Sequence, residues 1–270
     1  MLFSVVIPTY KRLDLLAVCL DSLMISTRHL GAGDYEVIVT DDSRESEAKA
    51  MIESSFPWVR WVKGPGKGPA SNRNHGARLA KGEWIVFTDD DCIPAAGWLE
   101  AYKNGILKTG ARYNVYEGST TADRPQRRYD EESPINLKGG HLWSCNFAIR
   151  RTFFEQTGGF DEGFPYAAME DVDFWYRVSK STSIHFLPEA LIIHPWRRIS
   201  AGMWLKKQYH SRVYFHRKYR TELGVRYRID MIKSFAVTWI SGGFDLVRFS
   251  FRGWRFYLVH CLLRFSLIFA

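Results

Sequence analysis

Three consecutive carboxylates, Asp89-Asp90-Asp91, close the apolar run Trp84-Ile85-Val86-Phe87 after a single threonine. Like charges crowded at the end of a buried strand repel one another and gain nothing from burial, so a positive partner is expected beside them. Side chains alternate along a strand, which predicts Asp89 and Asp91 on one side and Asp90 on the other. Two oxygen ligands converging on one hard ion suit Mg²⁺ or Mn²⁺, with coordination positions left for substrate phosphates. The competing reading is an acidic turn or helix start ahead of Pro94, where carboxylates suit the helix dipole.

Other groups along the chain could share that chemistry. Asp41-Asp42 follows Val37-Ile38-Val39-Thr40 and can accept hydrogen bonds from a base N–H or a ribose hydroxyl, or simply open a turn at Ser43. Gly64-Pro65-Gly66-Lys67-Gly68 lets backbone approach a phosphate while Lys67 and Arg73 supply positive charge. It matches neither the dinucleotide nor the P-loop fingerprint. Glu170-Asp171 opens a helical stretch after Gly158-Gly159-Phe160-Asp161-Glu162. A carboxylate there is placed to act as a general base or to complement the helix dipole. His194 follows Leu191-Ile192-Ile193 and offers a third metal ligand or a structural imidazole.

The elements that must position these groups alternate strand and helix through the first ~110 residues, the pattern of a parallel sheet with crossover helices. Strands are predicted at Phe3–Ile7, Tyr35–Thr40, Val59–Lys63 and Trp84–Phe87, with helices near Arg12–Met24, Glu45–Ser55 and Ala70–Ala80. Each strand ends in polar residues: Thr9-Tyr10, Asp41-Asp42, the Gly64 to Gly68 loop, and the triplet. Ligands of open α/β sheets bind outside those strand ends, so four sequence-distant clusters are expected to converge on one cleft. Beyond Tyr113 the rhythm changes. Ala122 to Asn136 reads as a mobile surface loop. His141 to Ile149 reads as a strand running into a short helix from Arg151, then come a helix over Glu170 to Val178 and two strands, Ile184–Leu187 and Ala190–Ile193.

With 46% hydrophobic and 24% charged residues, the 270-residue chain is not a disordered type. Leu2 to Ile7 is strand-like from the outset and ends in Pro8, so no secretory leader is read and a cytoplasmic location is expected. Cys19, Cys92, Cys145 and Cys261 form no CxxC pair and are read as buried free thiols. The net charge of +8 hides an asymmetry: residues 197–270 carry fifteen Lys and Arg against three Asp and Glu. Aromatics such as Trp204, Tyr209, Trp239 and Trp254 are interleaved with that charge. Such a tail fits an anionic membrane surface, nucleic acid, or helices packed on the domain with a solvated basic face. Trp254 to Ala270 is interrupted by Arg255, His260 and Arg264, which disfavours a spanning helix. Arg248, Arg252 and Arg255 recur on one helical face, as a helix lying in an interface would require.

In order along the chain, Val5-Val6-Ile7-Pro8-Thr9-Tyr10, Asp41-Asp42, Ser71-Asn72-Arg73-Asn74-His75-Gly76, Asp89-Asp90-Asp91 with Pro94, Gly158-Gly159-Phe160-Asp161-Glu162 and Glu170-Asp171 resemble the motifs of the family 2 glycosyltransferases. The resemblance covers roughly residues 3 to 195 and departs from the family where Ser71-Asn72 precede Arg73 in place of the usual Ala. It implies a GT-A fold, a Rossmann-like, mostly parallel mixed sheet flanked by helices, over residues 1–198; the basic, aromatic-rich extension over 199–270, read as helical, lies outside the resemblance. It also implies an inverting, metal-dependent transfer of a sugar from a nucleoside-diphosphate donor, UDP foremost, to a saccharide or lipid-linked saccharide acceptor in cell-surface polysaccharide or glycolipid synthesis.

Carried over by position, Pro8, Thr9, Tyr10 and Asp42 or Asp41 hold the nucleoside, with Arg73 and Asp89 on the donor, where Lys67 of the glycine-rich loop and Asp90 of the triplet are also placed. Asp91, Asp89 and His194 hold Mn²⁺ or Mg²⁺, Asp171 is the base and Glu170 orients the acceptor. The expected location is the cytoplasmic face of a membrane, with no nucleic-acid partner. A sugar-phosphate nucleotidyltransferase would want a glycine-rich loop after the first strand, where Pro8-Thr9-Tyr10-Lys11 has none. An aspartyl phosphatase would want Thr or Val where Ile93 stands. The third alternative is a binding module with a degenerate enzyme core, which predicts binding through the tail and little effect of metal.

Overall fold

The computed structural model describes residues 1–31, 33–45 and 47–269. Ser46, within the predicted helix over Glu45–Ser55, and Ala270, at the end of the tail, lie outside the described residues. In chain order the elements are β1 (Phe3–Thr9), α1 (Leu13–Ser26), β2 (Tyr35–Asp41), α2 (Glu47–Ser55), β3 (Val59–Lys63), α3 (Pro69–Leu79), β4 (Trp84–Phe87), β5 (Ile93–Pro94), α4 (Trp98–Lys108) and β6 (Val115–Thr121). Then follow β7 (Glu131–Glu132), β8 (Phe147–Arg150), α5 (Arg151–Gln156), α6 (Glu170–Ser181), β9 (Ile184–Ile193), β10 (Arg197–Arg198), α7 (Ala201–Lys218), α8 (Arg220–Arg248) and α9 (Trp254–Ser266).

Two compact units result. One comprises Met1–Asp123, Pro134–Glu162 and Glu170–Pro195, the other Arg124–Ser133, Gly163–Met169 and Trp196–Ala270. In the first, eight strands pair in the order β3-β2-β1-β4-β8-β6-β9-β5. The β1–β2, β2–β3, β1–β4 and β6–β9 pairs are parallel, while β8 runs antiparallel to β4 and β6, and β5 antiparallel to β9. Strand alternation divides the core in two. Phe3, Val5 and Ile7 of β1 pack with Leu16, Leu20 and Leu23 of α1 and Trp98 and Tyr102 of α4. Val6, with Ile38, Ile85 and Phe87, faces Ala77 of α3, Phe154 of α5 and Phe174 and Val178 of α6. Helices on both faces of a parallel core are what near-continuous apolar strands require.

Several local expectations change. The stretch from His141 to Asn146 is not strand, because buried Glu117 on β6 accepts the N–H groups of Gly140, His141 and Leu142 together with the Asn136 amide. Those donors are therefore unavailable to a ladder. The two strands predicted at 184–187 and 190–193 are one strand, β9, whose pairing with β6 shifts register between Gly118 and Ser119. Buried Asn146 spans that irregularity: its amide donates to Ser119 O and Ala190 O, and its carbonyl accepts from Trp98 Nε1 and Tyr102 OH. A shift of register changes which face a side chain reaches, and β9 leads directly into His194, whose N–H donates to Thr121 O. Of the segment expected to be a mobile loop, 122–136, the stretch Arg124–Ser133 is tied down within the second unit. There β7 pairs with β10, Arg124 holds Glu131, and Tyr129 N–H donates to Arg252 O.

The second unit otherwise consists of α7, α8 and α9, with α8 broken at Gly224, where φ is +48°. Among the described residues no helix is long and apolar enough to cross a membrane. All four cysteines are free and buried.

Candidate active site

The strand ahead of the acidic triplet ends at Phe87, and the triplet lies beyond it, with a turn at Asp90 and Asp91 closed by Cys92 N–H donating to Asp89 O. Strand alternation therefore does not govern the triplet, and its three carboxylates go to three settings. Asp89 receives Arg73 Nη2 at 2.6 Å. Asp90, expected on the side opposite its two neighbours, is the most buried: Thr9 Oγ1 donates to it at 2.7 Å and Arg12 Nη1 at 3.0 Å. Asp91 shares the same Arg12 nitrogen at 2.8 Å and lies 3.3 Å from His194 Nε2. Burial pushes the Asp90 carboxyl up to about 6 despite Arg12 and Thr9. Burial also works against the Arg12 charge, but Asp90, Asp91 and Asp89 outweigh it and raise its pKa.

Arg12 has no place in the sequence reading, although it stands at the β1–α1 junction where a cation would face the carboxyl ends of parallel strands. Cys92 is likewise new to the site: its thiol joins Asp91 and His194 in a cluster whose ligand atoms lie within 4.8 Å of one another. His194 is buried, with Nδ1 3.0 Å from Pro195 O. A carbonyl oxygen only accepts, so Nδ1 carries the proton and, in the neutral ring, Nε2 turns a lone pair toward Asp91. Two acceptors facing at 3.3 Å are a chemistry that a proton or a divalent cation satisfies, and an imidazole oriented by a carbonyl is a common metal-site arrangement. These donors fit Mn²⁺ better than Mg²⁺, because imidazole suits transition metals.

Three consecutive residues of α3, splayed about 100° apart around the helix, each take a different partner. Asn72 Nδ2 donates to Thr40 O at 2.8 Å, Arg73 reaches Asp89, and Asn74 closes a backbone-like pair with Phe160, N–H to Oδ1 at 2.9 Å and Nδ2 to O at 2.8 Å. Asn74 thereby fixes the turn at Gly159, whose φ of +71° is open to glycine. Arg177 on α6 donates to Thr157 O and Gly159 O while pairing with Asp173 at 2.9 Å, which secures α6 against the same turn.

At the start of α6, Glu170 Oε1 lies 3.5 Å from Arg73 Nη1. Asp89, Arg73 and Glu170 thus form one chain of charges, and half-buried Asp171 is the next residue, its Oδ1 accepting from Val172 N–H at 2.8 Å. Burial opposes the Arg73 charge, yet Asp89 and Glu170 raise its pKa on balance. Glu170 is pushed up to about 7 by burial and by the neighbouring Asp171, and burial also raises Asp171.

The two aspartates at the end of β2, Asp41 within it and Asp42 just beyond, hold structure. Asp41 is fully buried, with Oδ1 accepting from Ser43 N–H at 2.8 Å and Oδ2 from Trp61 Nε1 at 3.4 Å. Asp42 accepts the N–H groups of Gly66 at 2.9 Å and Gly68 at 3.0 Å, and so shapes the glycine-rich loop. Gly64 passes so close that a Cβ there would collide with Asp42 Oδ1 and Asn72 Oδ1. Pro8 and Thr9 are buried at the end of β1, whereas Tyr10 and Lys67 are exposed.

A sheet of this order, with carboxylates and arginines gathered at the ends of β1, β4 and α6, defines a glycosyltransferase of the GT-A architecture, as the resemblance implied. The family profile described as "Glycosyl transferase family 2" matches residues 4–158, and the chain belongs to that family. An uncharacterised glycosyltransferase of Haemophilus influenzae is 33% identical over 192 residues, which span 67% of this chain and 63% of that protein. The poly(ribitol-phosphate) beta-glucosyltransferase of Bacillus spizizenii is 37% identical over 110 residues, 38% of this chain and 17% of its own. Residues 1–349 of S. aureus TarS in complex with UDP-GlcNAc share the fold with a TM-score of 0.58 at 20% identity, over 77% of this chain and 64% of that one.

Proposed function

We propose that the chain is an inverting glycosyltransferase that moves a sugar from a nucleoside-diphosphate donor, UDP-linked in the first instance, to the hydroxyl of a saccharide or lipid-linked saccharide. The observation that carries this reading is the ion-pair chain Asp89–Arg73–Glu170, which ends beside Asp171 and so links the triplet to the acids that open α6. Asp171 takes the acceptor proton, the acceptor oxygen forms its bond to the anomeric carbon from the opposite face, and the bond to the diphosphate oxygen breaks with its electron pair leaving on phosphate. One such displacement inverts the anomeric centre. Glu170 orients the acceptor, Arg73 supports the donor, and Thr9 with Tyr10 and Asp42 lines the nucleoside end.

Asp91 and His194, with Asp89 or Cys92 beside them, would hold Mn²⁺ or Mg²⁺. When bound, such an ion supplies positive charge for the leaving diphosphate. A UDP donor is supported by the UDP-GlcNAc complex of the TarS neighbour, and a polymer acceptor by the poly(ribitol-phosphate) beta-glucosyltransferase relative. The basic tail supports work at the cytoplasmic face of a membrane.

The decisive measurement is nucleoside-diphosphate release from UDP-, GDP- and dTDP-sugars with Mn²⁺ present. Turnover with one nucleotide class is expected; absence of both turnover and nucleotide binding would overturn the reading. For the metal, His194→Ala is expected to weaken Mn²⁺ binding by at least about tenfold, measured by electron paramagnetic resonance of the free ion in a titration without donor. Unchanged Mn²⁺ affinity would remove His194 from the site.

A further inference from the structure

Helix α8 beyond its break, and α9, each leave one apolar face in solvent. On α8, Val225, Ile229, Ile232, Ile240, Phe244 and Val247 are between 48% and 76% exposed, and their spacing places them on one side of the helix. Tyr227, Thr238, Gly242 and Leu246 are buried on the other side. On α9 the exposed residues are Trp254, Leu258, Leu262 and Phe265, again at steps of three and four. The two stripes are continuous. Phe235 of α8 meets Phe265 of α9 at 5.7 Å between ring centroids and neighbours Trp239 at 6.2 Å, and Tyr257 OH donates to Trp239 O. As the chain advances from Tyr257 to Phe265 its partners step back from Trp239 to Phe235, so the helices run antiparallel and share a sheet-like apolar surface.

We propose that α8 and α9 form an in-plane anchor for an anionic lipid bilayer. A contiguous apolar surface of this extent is foreign to the solvated face of a monomer. Exposed Arg226, Arg228, Lys233, Arg248, Arg252 and Arg255 surround it, whereas the acids of α8 beyond Gly224 and of α9 are Asp230 and Asp245, the first near Arg226 at 3.9 Å. Charge complementarity selects acidic headgroups, and neither helix has the length of unbroken apolar sequence to cross the bilayer, so the pair lies along the interface with aromatic and aliphatic side chains between headgroups and acyl chains. A second copy of the chain fits poorly, because a two-fold contact presents the same patch to itself and would bring this excess of arginines against its own image. The anchor names the surface behind the membrane location proposed above, and its test reads lipid binding, which is independent of whether sugar is transferred.

The full chain should float with vesicles of equal phosphatidylglycerol and phosphatidylcholine, less so with phosphatidylcholine alone or in high salt, and Trp239 and Trp254 emission should shift to the blue on binding. The triple substitution Ile232→Glu, Phe244→Glu and Leu262→Glu replaces exposed side chains, so its thermal melt should match the parent while vesicle affinity falls by about tenfold or more. Arg226→Gln with Lys233→Gln should weaken binding at low salt without altering the melt. Failure of the parent chain to bind anionic vesicles would overturn the anchor, as would unchanged binding by the triple variant. A dimer in sedimentation that the triple variant dissociates would assign the face to a second copy and overturn it equally.

Discussion

Asp171→Asn is expected to lower sugar transfer by about 10²–10⁴-fold while leaving donor binding intact, because an amide cannot take the acceptor proton in the displacement step. Asparagine keeps the shape of the side chain and can still accept the Val172 N–H that Asp171 Oδ1 now holds, so the start of α6 should be preserved. Isothermal titration with the donor nucleotide and single-turnover transfer separate the two effects; transfer at parental rate would remove Asp171 from the base role.

The same step has a pH signature. Burial raises Asp171 above the ordinary carboxylate range, and its neighbour Glu170 stands at about 7. A base with a raised pKa is ionised only as pH climbs, so transfer should rise with pH along an acidic limb displaced above the pH 4 region of free aspartate.

Arg73→Ala is the second large effect, and it acts on stability as well as transfer. The guanidinium is almost fully buried, bonds Asp89 at 2.6 Å, lies 3.5 Å from Glu170, and rests over the Phe160 ring with its carbon 5.7 Å from the centroid. Removing it leaves two carboxylates facing each other with little solvent, and breaking a buried pair from one side typically costs about 3–5 kcal/mol. Asp89 keeps some solvent contact, which places the expectation near the lower end, a fall of roughly 6–12 °C in melting temperature. Arg73→Lys should recover only part of this, since an ammonium cannot fork between Asp89 and Glu170. Pairing Arg73→Ala with Glu170→Gln should regain stability without regaining transfer. A melting temperature unchanged in Arg73→Ala would mean that the charge chain carries no structural load.

Much of this site is legible in the residues themselves. The runs Phe3–Ile7 and Trp84–Phe87 declare their strands through apolar and β-branched composition broken only by Ser4, and Val59–Lys63 through valines and a tryptophan set among Arg60 and Lys63; their folded limits match those runs or extend them by two residues. Polar residues at the ends of such strands must face the same edge of a parallel sheet, which is why Thr9, Asp41 and the triplet could be grouped before any contact was known. Less was visible around β6 and α4. Glu117 and Ser119 interrupt the apolar pattern of β6 because their partners, the 140–142 N–H groups and Pro188 O, come from distant turns.

What the sequence alone determined, then, is the order of strands and helices from β1 to β4, the grouping of the acids with Arg73 at one sheet edge, and the basic, aromatic character of the tail. Those features are written in short spans, where side-chain periodicity and backbone propensity act. Only the tertiary structure decided which charge meets which. Arg12 came to bridge Asp90 and Asp91, Asp41 was committed to Ser43 and Trp61, and His194 reached Asp91 through the register shift of β9 that Asn146 holds. Each of these depends on partners far apart along the chain, and an ion pair is set by distance and burial in space, which local pattern does not encode.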